Sequence, residues 1–237
     1  MNLALLGHPL AHSFSMSYFS NKFSELKENH SYINLDLESI KDLRQEVLKR
    51  GLDGFNVTIP YKVEIIKLLD EISPDAASIN AVNTVQIKNG RWIGYNTDYL
   101  GFRDSISGQI DADTKALIFG SGGSARAVQY SLRRLGIQSK IVSRSGPLLN
   151  YDTIDEQLIK SHRLLVNTTP LGQYPKTDES VDIPYDAISK GHLVYDLIYN
   201  PPLTQFLEKA KSKGSKIMNG EQMLKAQADY AWQIWKP

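Results

Sequence analysis

Cysteine is absent from this chain, which excludes disulfide stapling and thiolate chemistry and gives no sign of export. Long apolar runs are missing as well. The apolar start Met1-Asn2-Leu3-Ala4-Leu5-Leu6 lacks a basic leader and breaks at Gly7-His8-Pro9. It is therefore read as a buried first strand rather than a signal peptide or membrane span, with the cytoplasm as the expected location. Charge of either sign is not in excess: 27 Lys and Arg face 26 Asp and Glu, for a net charge of +1. With no long basic run, nothing electrostatic points to nucleic acid or an anionic membrane, so a small-molecule partner is expected. The 5 His are scattered without paired ligand spacing, so no metal site is expected. What remains is ordinary globular composition, 237 residues with 41% hydrophobic and 22% charged side chains, enough to bury a core in one or two domains.

Short apolar runs alternate with helical periodicity along the chain. Strand-like segments are Leu3 to Leu6, Ile33 to Leu37, Gly54 to Ile59, Ala116 to Phe119, Lys140 to Ser143, Leu164 to Asn167 and Leu193 to Asp196. Helical period appears over Ile40 to Arg50, Lys62 to Leu69, Ala125 to Leu135, Thr204 to Lys213 and Glu221 to Trp235. The alternation predicts an α/β fold with largely parallel sheets. Lys88-Asn89-Gly90, between Val82 to Ile87 and Arg91 to Gly94, predicts a hairpin instead of a crossover. A boundary is placed near residue 101, before the strand that starts near Lys115. In the last helix Gln227 shares the apolar face of Met223, so it must either pair with nearby backbone or look into a cleft.

The segment Lys115 to Val128 reads as a buried strand, a glycine turn and a helix. In it Gly120 allows the tight turn, and Gly122 and Gly123, flanked by Ser121 and Ser124, let backbone amides approach a pyrophosphate. Ala127 occupies the close-packing position of the dinucleotide fingerprint. The following strand ends in Ser143-Arg144-Ser145, with no carboxylate to hold a ribose hydroxyl. A guanidinium flanked by hydroxyls suits a 2′-phosphate, so NADP is favoured over NAD. Asn167-Thr168-Thr169, after another strand, would lie at the same sheet edge and either line the cofactor or simply form a turn.

The N-terminal part carries a second polar set. Ser13 and Ser15, if extended, direct their hydroxyls the same way and can hold a carboxylate; the alternative is a helix N-cap. Strand alternation puts Phe55, Val57 and Ile59 on one face and Asn56 and Thr58 on the other. Pro60 then opens a helix whose first turn would carry Lys62, where the dipole opposes its charge in a way that suits proton transfer. Asp98 either caps a helix or, if near Lys62, completes an acid/base pair.

Taken in order, these segments resemble the shikimate dehydrogenase family from Leu3 to Trp235. The matching motifs are Ser13/Ser15, Asn56-Val57-Thr58-Ile59-Pro60-Tyr61-Lys62, Asn80-Ala81-Val82-Asn83-Thr84, Asn96-Thr97-Asp98 and Gly120-Ser121-Gly122-Gly123. Asp196-Leu197-Ile198-Tyr199-Asn200-Pro201 and the run Asn219 to Gln227 complete the set. The resemblance implies an N-terminal α/β substrate domain (1–101, onto which helix 221–237 packs back) and a Rossmann-type doubly wound NADP-binding domain (102–220), with a cleft between them. It implies Ser13, Ser15 and Tyr199 at a substrate carboxylate, Asn83, Asp98 and Gln227 at ring hydroxyls, and Asn56 and Thr58 completing the pocket. Lys62 would be the acid/base with Asp98 as its partner, and Gly220 and Met223 would lie near the nicotinamide. The implied activity is the reduction of 3-dehydroshikimate to shikimate by NADPH in aromatic amino-acid (chorismate) biosynthesis, by a monomer or homodimer. A dehydrogenase also acting on quinate, and a non-catalytic sensor of NADP(H) or a ring acid, are the rival readings. The chain departs from many relatives in following Arg144 with Gly146-Pro147-Leu148 instead of a second basic residue, and in carrying Gln173 where Met is frequent.

Overall fold

The computed structural model describes residues 1–10, 14–144 and 149–236. Compactness divides the chain into Met1–Thr97 with Gln227–Pro237, and Asp98–Ala226. Among the described residues no helix is long and apolar enough to cross a membrane.

The first unit runs β1 (Asn2–Gly7), α1 (Phe14–Leu26), β2 (Ser31–Asp36), α2 (Leu43–Lys49), β3 (Gly54–Val57), a 3-10 helix (Glu64–Leu68), β4 (Glu71–Ile72), α3 (Pro74–Ile79), β5 (Thr84–Lys88) and β6 (Arg91–Tyr95). Its sheet has the order β2-β1-β3-β5-β6-β4. Strand β1 is parallel to both neighbours and covered on both faces, which is why Leu3 to Leu6 is apolar without alternation. Leu6, Phe55, Leu43 and Val47 share one core; Leu3, Leu5, Phe19 and Phe23 share another on the opposite face. The β5–β6 hairpin turns at Asn89 (φ 52°) and Gly90 (φ 77°), the left-handed pair that a two-residue type I′ turn requires. Helix α3 is short but well delimited. Ser73 Oγ accepts the Ala76 amide at 3.3 Å, Pro74 takes the first helical position, and Asn80 ends it at φ 55°.

The second unit runs α4 (Asp98–Ile106), β7 (Lys115–Phe119), α5 (Gly123–Arg134), β8 (Gln138–Val142), α6 (Glu156–Ser161), β9 (Leu164–Asn167), β10 (Leu193–Asp196), α7 (Gln205–Ser212), β11 (Lys216–Met218) and the start, through Ala226, of α8 (Glu221–Trp235). Its strands are all parallel, in the order β11-β10-β9-β7-β8. Leu117, Phe119, Leu165 and Val194 face α6 and α7 through Ile159, Phe206 and Leu207. Ile118, Val166 and Tyr195 face α4 and α5 through Phe102, Ile106, Val128 and Leu132. Helices thus cover both faces, and the sheet is doubly wound. The strand order reverses at β7, and ligands of such sheets bind outside the carboxyl ends of the strands at that point. Helix α8 contributes to both units: Met223 lies in the core of the second, while Ala228, Ala231, Trp232 and Trp235 lie in that of the first. There the Trp235 indole donates to the Val85 carbonyl at 2.9 Å.

Three local expectations are corrected. Strand β3 stops at Val57, and Ile59 is 58% exposed instead of sharing the face of Phe55 and Val57. Lys62 precedes the 3-10 helix in a turn, so no α-helical first turn opposes its charge. Ser15 is helical, inside α1, so strand alternation does not aim its hydroxyl. Ser13 and Ser145 lie outside the described residues.

Candidate active site

In the first unit a continuous polar network is buried between the ends of the strands. The Ser15 hydroxyl bonds the phenol of Tyr32, whose titration is pushed up by burial and eased down by that bond. Tyr32 Oη donates to Asn56 Oδ1 at 2.8 Å. Asn56 Nδ2 donates to the Asn83 carbonyl at 3.2 Å and to Thr84 Oγ1 at 3.1 Å. Asn83 Oδ1 accepts the Thr97 amide at 2.7 Å, and Asn83 Nδ2 reaches Thr97 Oγ1 at 2.9 Å and Gln227 Oε1 at 3.3 Å. Ser15, Asn56, Asn83 and Gln227, chosen from sequence, are thereby brought together. Gln227 Oε1 accepts from the Asn83 and Thr97 side chains. Sequence patterns give no role to Tyr32, Thr84 or Thr97: Thr84 and Thr97 stand inside the matching motifs, and nothing local marks Tyr32.

Such a network costs free energy unless its groups are satisfied. Here the demand is met by β3, β5 and α8 acting on one another, which fixes each amide in a single orientation. Asn56 is 4% exposed with both ends engaged, so it organises its neighbours.

Thr58 and Lys62 lie on the turn after β3. The Thr58 amide continues the ladder to Leu6 O at 2.8 Å, and its carbonyl accepts the Tyr61 amide at 2.9 Å. Tyr61 is buried, its hydroxyl bonding the Leu37 carbonyl. The Lys62 carbonyl accepts the Val82 amide at 2.7 Å. Tyr61 therefore anchors the turn that carries the half-buried Lys62.

In the second unit Asp98 is the first residue of α4 and 5% exposed, a position where the helix dipole favours a carboxylate. Gly120 has φ 111° and approaches the β9 loop so closely that a Cβ there would stand 2.6 Å from Thr168 Oγ1. Gly122 is the extended N-cap of α5 and carries no capping side chain; a Cβ on it would meet nothing within 4 Å. Ser143 Oγ donates to Ser121 Oγ at 3.1 Å, tying the end of β8 to the glycine turn. Arg144 is exposed at that end. Thr168 donates twice to the Phe119 carbonyl, at 2.9 Å and 2.6 Å. Asn167 is fully buried and accepts from the Thr169 amide at 2.9 Å and its hydroxyl at 2.7 Å. Open glycine backbone at a helix N-terminus, hydroxyls and a guanidinium along the same sheet edge fit a phosphorylated dinucleotide.

Tyr199 is half-buried in the loop after β10. The Gly220 amide donates to Ile198 O at 3.0 Å, and a Cβ there would lie 1.9 Å from the Leu197 carbonyl oxygen. Met223 packs beside Leu197 and Met218. Among the described residues no cluster of His, Asp or Glu could hold a metal ion.

Fold and site define a two-unit α/β protein with a dinucleotide-binding unit joined to a unit built around buried amides and hydroxyls. The model of the shikimate dehydrogenase substrate binding domain matches residues 5–85. The NADP(+) shikimate dehydrogenase of Methanococcus maripaludis is 39% identical over 253 residues, covering 98% of this chain and 91% of that protein. Among solved structures, the shikimate dehydrogenase of Aquifex aeolicus superposes with a TM-score of 0.90 at 34% identity, covering 100% of this chain and 92% of that one. That of Thermus thermophilus, in complex with NADP(H) and shikimate, gives 0.88 at 34% identity, covering 100% and 93%. The chain belongs to the shikimate dehydrogenase family.

Proposed function

We propose that this chain is a cytoplasmic NADP-dependent oxidoreductase acting on a CH–OH group, reversibly reducing 3-dehydroshikimate to shikimate in aromatic amino-acid (chorismate) biosynthesis. The observation that carries the reading is the buried network from Ser15 through Tyr32, Asn56 and Asn83 to Gln227. A rigid array of amides and hydroxyls is what a polyhydroxylated ring acid needs for recognition. NADP binding in this family is named for the Methanococcus relative and the Thermus complex, and the glycine turn, Ser143 and Arg144 are the groups we assign to it here.

NADPH, when bound, supplies the hydride for the ring carbonyl carbon. Lys62 gives a proton to the carbonyl oxygen and regains one from solvent, so that one hydride and one proton make the new alcohol. Asp98 is assigned as the second member of the acid/base machinery. Ser13, Ser15 and Tyr199 take the carboxylate; Asn83 and Gln227 take ring hydroxyls, with Thr58 at the pocket wall and Asn56 holding the others in place. Ser121 to Ser124 receive the pyrophosphate, Arg144 with Ser143 and Ser145 the 2′-phosphate, and Thr168, Thr169, Gly220 and Met223 the nicotinamide side. The test is Lys62→Ala. Its kcat should fall about 10²- to 10⁴-fold while NADPH and shikimate still bind; unaltered kcat would remove Lys62 from the chemistry.

A further inference from the structure

Asp196 ends β10 and is fully buried, yet the mechanism gives it no task. Its carboxylate is surrounded by donors. Oδ1 accepts from Asn167 Nδ2 at 3.0 Å and from the Ile198 amide at 3.0 Å, and Oδ2 accepts from Thr204 Oγ1 at 2.6 Å. With its Nδ2 donating to Asp196 and, at 3.4 Å, to the Leu171 carbonyl, Asn167 presents Oδ1 to the other side, where Thr169 donates twice. The same loop, one residue earlier, closes over Gly120 through Thr168. A hydrophobic residue of similar size is not equivalent here, since it would leave Asn167 Nδ2 with the long Leu171 contact alone.

We propose that Asp196 is a positioning residue for the cofactor, acting through Asn167 to set the Thr168–Thr169 loop against the glycine turn. The proposal rests on the assignment of NADP to this unit. Desolvation pushes Asp196 up to about 6, against the three hydrogen bonds that pull it down. Burying a carboxylate contributes little net stability, so the contact with Asn167 is what gives Asp196 a task.

Three variants of the full chain separate positioning from general stability, each read by NADPH titration, shikimate KM and melting temperature. Asp196→Ala removes the acceptor and should weaken NADPH about tenfold, with shikimate KM little changed. Asp196→Asn keeps an acceptor for Asn167 and should restore affinity to within about threefold of the parent. Thr204→Val breaks the bond to Oδ2 and the cap of α7, seen as Thr204 Oγ1 accepting the Leu207 amide. It should therefore lower the melting temperature without moving NADPH affinity. Asp196→Ala at parental affinity, or Thr204→Val losing as much affinity as Asp196→Ala, overturns the proposal. If Asp196→Ala does not fold, Asn167→Ala tests the same bond from its other end: weakened NADPH binding is expected, and parental affinity refutes the route. A parent that binds no NADPH would instead sink the functional reading itself.

Discussion

Tyr32→Phe removes one oxygen from the middle of the substrate-side network. The ring itself is not disturbed, because its stacking on Phe19, at 4.5 Å between centroids, needs no hydroxyl. Two hydrogen bonds vanish, to Asn56 Oδ1 and from Ser15. Ser15 sits near the start of α1 and its hydroxyl can rotate to another acceptor, whereas the Asn56 carbonyl oxygen is left in a site that is 4% exposed. A buried acceptor stripped of its donor costs about 1–3 kcal/mol. Taking ~2 kcal/mol, and 2–4 °C of melting temperature per kcal/mol for a chain of this size, the transition should fall by roughly 4–8 °C. Differential scanning calorimetry measures this directly. Shikimate KM should rise alongside, since Ser15 and Asn56 are no longer tied together, while NADPH affinity, belonging to the other unit, should hold. A melting temperature within about 1 °C of the parent would show that the phenol does not bridge the two sides of the network.

Arg144→Ala should weaken NADPH by about tenfold or more, the worth of a charge-assisted bond, and leave NADH nearly unaffected; equal losses for both cofactors would take the 2′-phosphate away from Arg144. Gly54→Ala forces a Cβ to within 2.5 Å of Trp235 Nε1 and 2.8 Å of Val85 O, so it should destabilise by about 1–3 kcal/mol; a neutral result in denaturant would mean that α8 is not seated on β3 and β5. Stability should also carry the signature of Asp196. Its folded pKa is raised from 3.8 to about 6, so between these values the folded chain holds a proton that the unfolded chain has lost, and stability falls as pH rises through that window. Two pH units are worth roughly 3 kcal/mol. The difference in stability between parent and Asp196→Asn should shift by that order from pH 4 to pH 7, and a flat difference would contradict the burial.

The doubly wound unit was legible because parallel strands covered on both faces read as continuous apolar runs. Ala116 to Phe119, Leu164 to Asn167 and Leu193 to Asp196 needed no tertiary information. Thr204 to Lys213 and Glu221 to Trp235 match α7 and α8, the former including its two caps. Periodicity failed where neighbours decide the backbone. Gly54 to Ile59 alternates well, yet β3 itself ends at Val57; beyond it the pairing with the β1 side runs on through Ile59 O, while Tyr61 bonds the Thr58 and Leu37 carbonyls and the chain turns. Helix α3 is too short to show an apolar period, although Ser73, Pro74 and Asn80 delimit it. The site residues were readable as amides and hydroxyls at strand ends, but their partners were not. Tyr32 meets Asn56 across 24 positions and Asn83 meets Gln227 across 144, pairings that only the fold creates. Asp196 stood in plain view within a motif; its role depends on Asn167, which comes 29 residues earlier.

The central claim, hydride transfer between shikimate and NADP, is tested most directly by absorbance at the reduced-nicotinamide band when purified protein is mixed with shikimate and NADP, with quinate and NAD as parallel arms. Reduction of NADP that depends on shikimate and outpaces both other arms is the result this account predicts. Binding of NADP without reduction by shikimate or quinate would contradict it and leave a sensor in place of an enzyme.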